Sequence, residues 1–258
     1  MAGRVLAGLV LLLAAAALYG ATASQAFRLR DDGVVVRGAT FTGDDTVIEA
    51  IGLDGSARPN LFSLDTGRLE AALLTLPAID ADRPDAVDIH VALPDRLIVE
   101  VHERVPILAW QVGQRRLLVD VHGVVVSETD TMTTSTLPEV EDRRPRSASL
   151  AVGSRVDSAD LEVARKIAAL TPAFIGSAAE ELATRITDDE GFVLTSGTDG
   201  WRAIFGIYTP NLRGADLVET QVQCLSSLLF GREATLAIVY LFPDAGRCGT
   251  FKARSATP

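Results

Sequence analysis

The chain has 258 residues and a mass of 27.4 kDa, enough for one large domain or two small ones, each with its own core. Hydrophobic residues make up 48% and charged residues 22%, a balance that excludes a disordered polar chain. A formal net charge of −10 repels phosphate backbones, so no nucleic-acid partner is expected.

Residues 5–27, VLAGLVLLLAAAALYGATASQAF, contain no charged side chain. As a helix they would rise roughly 33 Å, against about 30 Å for the hydrocarbon core of a bilayer. A helix satisfies its own backbone in lipid, and Arg4 ahead of the run favours an inside amino terminus. Residues 1–26 therefore read as a short cytoplasmic tail and a single transmembrane helix. The same residues also fit a secretory leader, with Ala21-Thr22-Ala23 as its cleavage site. Both readings export the rest of the chain.

Residues 27–42 read as a broken strand punctuated by Gly33 and Gly38. GDDTVIEAIGL follows as a short helix capped by Asp44 or Asp45. DTGRLEAALLTLP is a second helix, because Leu69, Ala72, Leu73 and Leu76 recur at i, i+3, i+4 and i+7 and Pro77 stops it. Val87, Ile89, Val91 and Leu93 then alternate with polar residues, as do Leu97, Val99 and Val101, around a turn at Pro94-Asp95-Arg96. Placing both apolar sets on one face sets Leu93 opposite Leu97. That register puts His90 against Glu100 and Asp88 against His102 on the wet face. The module is strand–helix–helix–strand–strand: three strands with two helices on one face. It is too small for an enzyme cleft and suits binding.

Pro106 carries no N–H and ends ladder pairing, so Glu103, Arg104 and Pro106 read as a domain hinge with almost no linker. Beyond it, ILAWQVGQRRLLVDVHGVVV reads as three strands with turns at Gly113-Gln114 and His122-Gly123. Residues 129–149 read as a long loop around a short strand, LPEVED, with Arg143, Arg144 and Arg146 solvated. Residues 158–170 form a helix, residues 181–206 three short strands, and residues 215–229 a final helix striped by Val218, Val222, Leu225 and Leu229. The chain closes as a strand over 237–242, a turn and at most a short return strand. That strand lacks the Lys that blunts an exposed edge. With only residues 255–258 left to cover it, it reads as an open docking edge. Trp110 and Trp201 read as core anchors.

Catalytic signatures are missing: there is no G-x-S-x-G, S-x-x-K, G-x-x-x-x-G-K-[ST] or G-x-G-x-x-G. Asp188, Asp189 and Glu190 sit beside Gly191 and read as solvated turn charges. His90, His102 and His122 show no ligand spacing, so no metal or cofactor is expected. Export permits a disulfide between Cys224 and Cys248; two separate buried thiols are the alternative. The chain reads as a non-enzyme of class α+β, with a transmembrane helix, a small βααββ domain over 27–104, a larger mainly antiparallel domain over 105–254 and a tail over 255–258.

The ordered set NLFSLDTGRLEAALLTLPAI, then PDRLIVEVHERVPILAWQVGQRRLLVDVHGVVV, resembles the FtsQ/DivIB cell-division proteins over about residues 60–126. The βααββ module is similar to their POTRA domain. The chain departs from the family pattern in carrying Leu108, not Ala, two residues after the Pro. The resemblance implies a divisome scaffold that spans the bacterial inner membrane once, works outside the cytoplasm at the division septum and links assembly to septal wall synthesis. It implies partners of the FtsL and FtsB/DivIC type, docked on the last strand of the second domain by β-augmentation. By position this falls on Ile238, Tyr240, Phe242, Asp244 and Gly246. Alternative readings are a POTRA-type exported assembly or secretion factor, or an exported binding domain of unrelated role.

Overall fold

The computed structural model describes residues 2–54, 58–129, 136–198, 200–209, 213–242 and 247–254, and within the N-terminal helix the side chains of residues 6–16, 19, 20, 22 and 23. The chain divides into two compact units, residues 1–104 and 105–258.

Unit 1 opens with α1 (Ala2–Ala23), whose Leu6, Leu9, Val10, Leu11, Leu12 and Leu13 are exposed. Among the described residues no helix is long and apolar enough to cross a membrane. β1 (Val34–Arg37), α2 (Asp44–Ala50), α3 (Thr66–Leu73), β2 (Val87–Ala92) and β3 (Arg96–Val101) follow. The strand order is β1-β3-β2, with β1 parallel and β2 antiparallel to β3. Asp44 and Asp45 occupy the first turn of α2, where the helix dipole favours them, while Gly43 takes the cap position. Asp65 caps α3, accepting the Arg68 N–H at 3.1 Å. Val47, Leu69, Leu73, Ile89, Leu97, Val99 and Val101 form the core between the sheet and the helices.

The β2–β3 register differs from expectation by two residues. Leu97 faces Val91, Val99 faces Ile89, and Asp88 faces Glu100. Ala92 pairs with Arg96, so the turn is Leu93-Pro94-Asp95 and Leu93 is 55% exposed. A two-residue slip preserves which face each side chain takes, so burial could not choose between the registers. The expected His90–Glu100 and Asp88–His102 pairs do not form. His90 Nε2 lies 2.8 Å from Asp88 on its own strand, and His102 Nε2 lies 3.7 Å from Asp85. Glu100 is engaged by Arg37 of the adjoining parallel strand at 2.7 Å.

Unit 2 contains β4 (Pro106–Val112), β5 (Arg115–Asp120), β6 (Val125–Thr129), β7 (Glu139–Asp142), α4 (Ser158–Ala168), α5 (Pro172–Ile175), β8 (Ala183–Thr187), β9 (Gly191–Thr195), β10 (Arg202–Gly206), α6 (Leu217–Leu229), β11 (Leu236–Leu241) and β12 (Gly249–Ala253). One sheet holds nine strands in the order β12-β11-β10-β9-β8-β7-β4-β5-β6. It is mixed: β4–β7, β7–β8 and β10–β11 are parallel and the remaining pairs antiparallel. The β7–β8 and β10–β11 pairs need crossovers, which α4 and α6 supply. The crossovers bury the stripes of α4 and α6 with Leu108, Leu117, Val140, Leu194, Phe205 and Val239 in one core.

Both tryptophans are buried in that core. The indole N–H of Trp110 donates to Asp142 Oδ2 at 3.1 Å, and that of Trp201 to Glu233 Oε1 at 2.7 Å. The expectation that residues 143–146 form a solvated basic loop fails at Arg144, which is 6% exposed while its neighbours stay outside. Two carboxylates draw it in. Arg144 Nε and Nη2 bind Asp142 at 2.9 and 2.7 Å, and Nη1 binds Asp160 of α4 at 2.7 Å. Burial works to raise the Asp142 carboxyl, but hydrogen bonds from Arg144 and Ser147 hold it below the usual range. At Asp160 burial wins over Arg144 and Arg146, and the carboxyl is raised.

Candidate partner-binding edge

β11 is not an edge. It is bonded on one side to β10 in parallel and on the other to β12, which runs antiparallel to it. Its Ile238 faces Arg202 and Lys252, and its Tyr240 faces Ile204 and Thr250. The backbone groups expected to receive a partner at Ile238 and Tyr240 are therefore paired within the chain. Phe242 donates its N–H to the Cys248 carbonyl at 3.4 Å, and its ring lies 5.3 Å beneath the Arg247 guanidinium. Asp244 and Gly246 lie outside the described residues. Among the described residues the sheet ends at β12 and not at β11.

Two attachments place β12. At its start, Cys248 is joined to Cys224 of α6 by a disulfide with the Cα atoms 5.1 Å apart. At its end, Arg254 donates its N–H to Thr235 O at 2.8 Å and its Nε–H to Leu236 O at 2.9 Å. Gly249 is needed for the close approach, since a Cβ there would meet the Tyr240 carbonyl oxygen at 2.4 Å. The Phe242–Cys248 bond sets the phase of the antiparallel ladder. Cys248, Thr250 and Lys252 turn their backbone groups toward β11, and Gly249 and Phe251 turn theirs outward.

The edge is cationic and aromatic. Phe251 is 43% exposed with the Arg232 guanidinium 5.9 Å from its ring centre, and Lys252 Nζ lies 5.8 Å from the Tyr240 ring centre on the other face. Phe230, at 86%, is the most exposed large apolar side chain described. A flanking hollow is lined by Trp201, Phe230, Arg232, Glu233 and Arg254. Glu233 is committed there, accepting from the Ser177 hydroxyl, the Ala178 N–H and the Trp201 indole. Burial alone would raise its carboxyl, but those donors hold it low. Arg232 and Arg254 outnumber the ionised Glu233 along this hollow. The short return strand that the sequence allowed after residue 242 is β12, GTFKA, with Thr250 and Phe251 as its strand-favouring residues.

The residues read as a hinge are fastened at the boundary. Glu103 closes unit 1: Oε2 accepts the N–H groups of Thr40 and Phe41 at 2.8 and 2.7 Å, and Oε1 that of Thr42 at 2.7 Å. Arg104 donates its N–H to Ala78 O at 2.7 Å and sets its buried guanidinium 3.5 Å from both Asp80 and Asp82. Pro106 is the first residue of β4, opposite Asp120.

Comparison with known proteins bears on both units. Residues 30–104 match the family described as POTRA domain, FtsQ-type. A relative from Chloroflexus aurantiacus, named cell division protein FtsQ, is 31% identical over 178 residues, covering 67% of this chain and 60% of its own. Another of the same name from Chloroflexus aggregans is 29% identical over 124 residues, covering 48% of this chain and 42% of its own. The chain therefore spans less than two thirds of the length of these curated relatives. With an FtsQ-type POTRA domain over most of unit 1 and kinship that continues beyond it, the chain belongs to the FtsQ/DivIB family of cell-division proteins.

Proposed function

We propose that the chain is a non-enzymatic division scaffold, held in the bacterial inner membrane by α1, with both units outside the cytoplasm at the septum. It links divisome assembly to septal wall synthesis by binding partners of the FtsL and FtsB/DivIC type. The observation that carries the reading is the exposed strand β12, pinned at both ends, whose outward side pairs with no other strand among the described residues. A partner strand adds there by main-chain hydrogen bonds, and Arg232, Lys252 and Phe251 favour an acidic segment with apolar anchors. Support for the anchor comes from the uncharged run 5–27, helical as far as Ala23. Glu103, Arg104 and Pro106 make the junction between the units, and Ile238, Tyr240 and Phe242 act as the floor beneath β12.

The test uses the outward phase of Phe251. Phe251→Pro removes a donor that β11 does not use, whereas Phe251→Thr keeps it. Partner affinity, measured with the full chain in detergent, should fall at least tenfold for Pro, about 1.4 kcal/mol, and much less for Thr. Equal affinity in both variants, with the disulfide and circular dichroism unchanged, would place the partner elsewhere.

A further inference from the structure

The end of α1 runs into unit 1 without a slack linker. Ala23 is followed at once by a 3-10 turn, Gln25–Phe27, which Ser24 caps by accepting the Ala26 N–H at 3.2 Å. A second 3-10 turn, Leu61–Ser63, packs against α1. Asn60 joins the two turns. Its Nδ2 donates to Ser24 O at 3.1 Å, its Oδ1 accepts the Phe62 N–H at 2.9 Å, and its backbone bridges Arg28. Leu29 then donates its N–H to Pro59 O at 3.0 Å and enters the core, 3% exposed. The rings of Phe27 and Phe62 meet edge to face at 5.0 Å, and Phe62 is still 45% exposed.

The charges around this pair sort themselves. Arg30 is held by Asp32 at 2.9 Å, and Arg58 by Asp31. Arg28 is exposed and, among the described residues, is matched to no carboxylate. Arg28 therefore directly follows Phe27 in an aromatic pair whose Phe27 is half-buried and whose Phe62 is exposed, only a few residues beyond the end of α1. The headgroup layer is roughly 5–8 Å deep on each side of the hydrocarbon. A 3-10 turn rises about 2 Å per residue, so Gln25–Phe27 covers about 6 Å, a distance comparable with that layer if α1 ends at its inner boundary.

We infer that the paired turns Gln25–Phe27 and Leu61–Ser63 form a membrane-interface foot, in which Phe27 and Phe62 enter the headgroup region of an anionic phospholipid leaflet and Arg28 meets lipid phosphate. The occupant is the bilayer that holds α1, so the inference rests on the proposed anchor and extends it to unit 1. Aromatic rings at a membrane–water boundary and a cation facing anionic headgroups match the chemistry such a layer rewards. The Asn60 staple then orients the POTRA unit against the membrane instead of leaving it on a loose tether.

The experiment places a reporter in the foot. Full-length Phe62→Trp and Phe27→Trp chains are reconstituted into vesicles of phosphatidylethanolamine and phosphatidylglycerol containing lipids brominated near the headgroup or near the chain end. Trp110 and Trp201 are buried in unit 2, and the wild-type signal is subtracted. Stronger quenching by the shallow bromolipid than by the deep one, with at least threefold protection from aqueous iodide, is the expected result. A further expectation is that Arg28→Gln weakens the shallow quenching in anionic vesicles and leaves it unchanged in pure phosphatidylcholine. A chain that floats with the vesicles but shows both reporters fully open to iodide and untouched by bromolipid overturns the foot and leaves the anchor standing. A chain that fails to float overturns both.

Discussion

Arg144→Met removes a cation that unit 2 has drawn inward. The guanidinium makes three charge-assisted hydrogen bonds, two to Asp142 and one to Asp160, at 2.7–2.9 Å. The Asp142 side chain is fully buried and that of Asp160 is 9% exposed. Methionine fills much of the volume but leaves both carboxylates in place. Asp142 keeps the Trp110 indole and the Ser147 hydroxyl, and Asp160 keeps Arg146 at 3.1 Å. Breaking one side of a buried ion pair costs about 3–5 kcal/mol, and the surviving donors place this case toward the lower end of that range. The cost should depend on pH. In the wild type Asp142 is held low, so its contribution is present above the unfolded carboxyl value, near 4, and fades as pH falls through the folded one. Asp160 is raised, so its contribution has the opposite sign: it favours folding at low pH and is lost as pH rises through its folded value. Without Arg144 both carboxyls move up, and protonation relieves the variant. Urea melts followed by tryptophan fluorescence report unit 2 alone, because Trp110 and Trp201 both lie in it. The gap between wild type and variant should be largest near pH 7 and shrink toward pH 4. A gap under about 1 kcal/mol, or one that does not change with pH, would refute the network as described.

Trp110→Ala should destabilise unit 2 by about 3–5 kcal/mol, read as a lower urea midpoint; an unchanged midpoint would contradict its burial. Cys248→Ser opens a link that closes 24 residues, worth roughly 3 kcal/mol in the chain-entropy model. Its first sign should be faster hydrogen exchange along β12, and unchanged exchange there would show that Arg254 suffices. Glu103→Gln leaves too few acceptors for the N–H groups of Thr40, Phe41 and Thr42, at a cost of about 1–3 kcal/mol. Amide exchange at those three residues is the readout, and native protection would show that the carboxylate is dispensable.

The local pattern was legible where one chemical period settled it. The helix read over residues 158–170 is α4, which spans Ser158–Ala168, and the Val218/Val222/Leu225/Leu229 stripe marked α6. Alternation marked β2 and β3, and the ordered motifs from Asn60 to Val126 carried the family resemblance. What the sequence determined by itself was therefore the period and punctuation of each element, since those depend on residues within a few positions of one another. Pairing between elements depends on groups far apart in the chain. The register of β2 against β3 could slip by two without changing which side chains are buried, and the tertiary structure chose between equals. Arg144 looked like a loop cation until Asp160, sixteen residues on, came within hydrogen-bond reach. β11 looked like an edge because its cover is a five-residue strand with few buried side chains, held by a disulfide to α6 and by Arg254. A strand stabilised by backbone pairing and a cross-link, with little apolar burial, leaves only a faint mark in hydrophobic pattern, so only the folded chain could show that the sheet ends at β12.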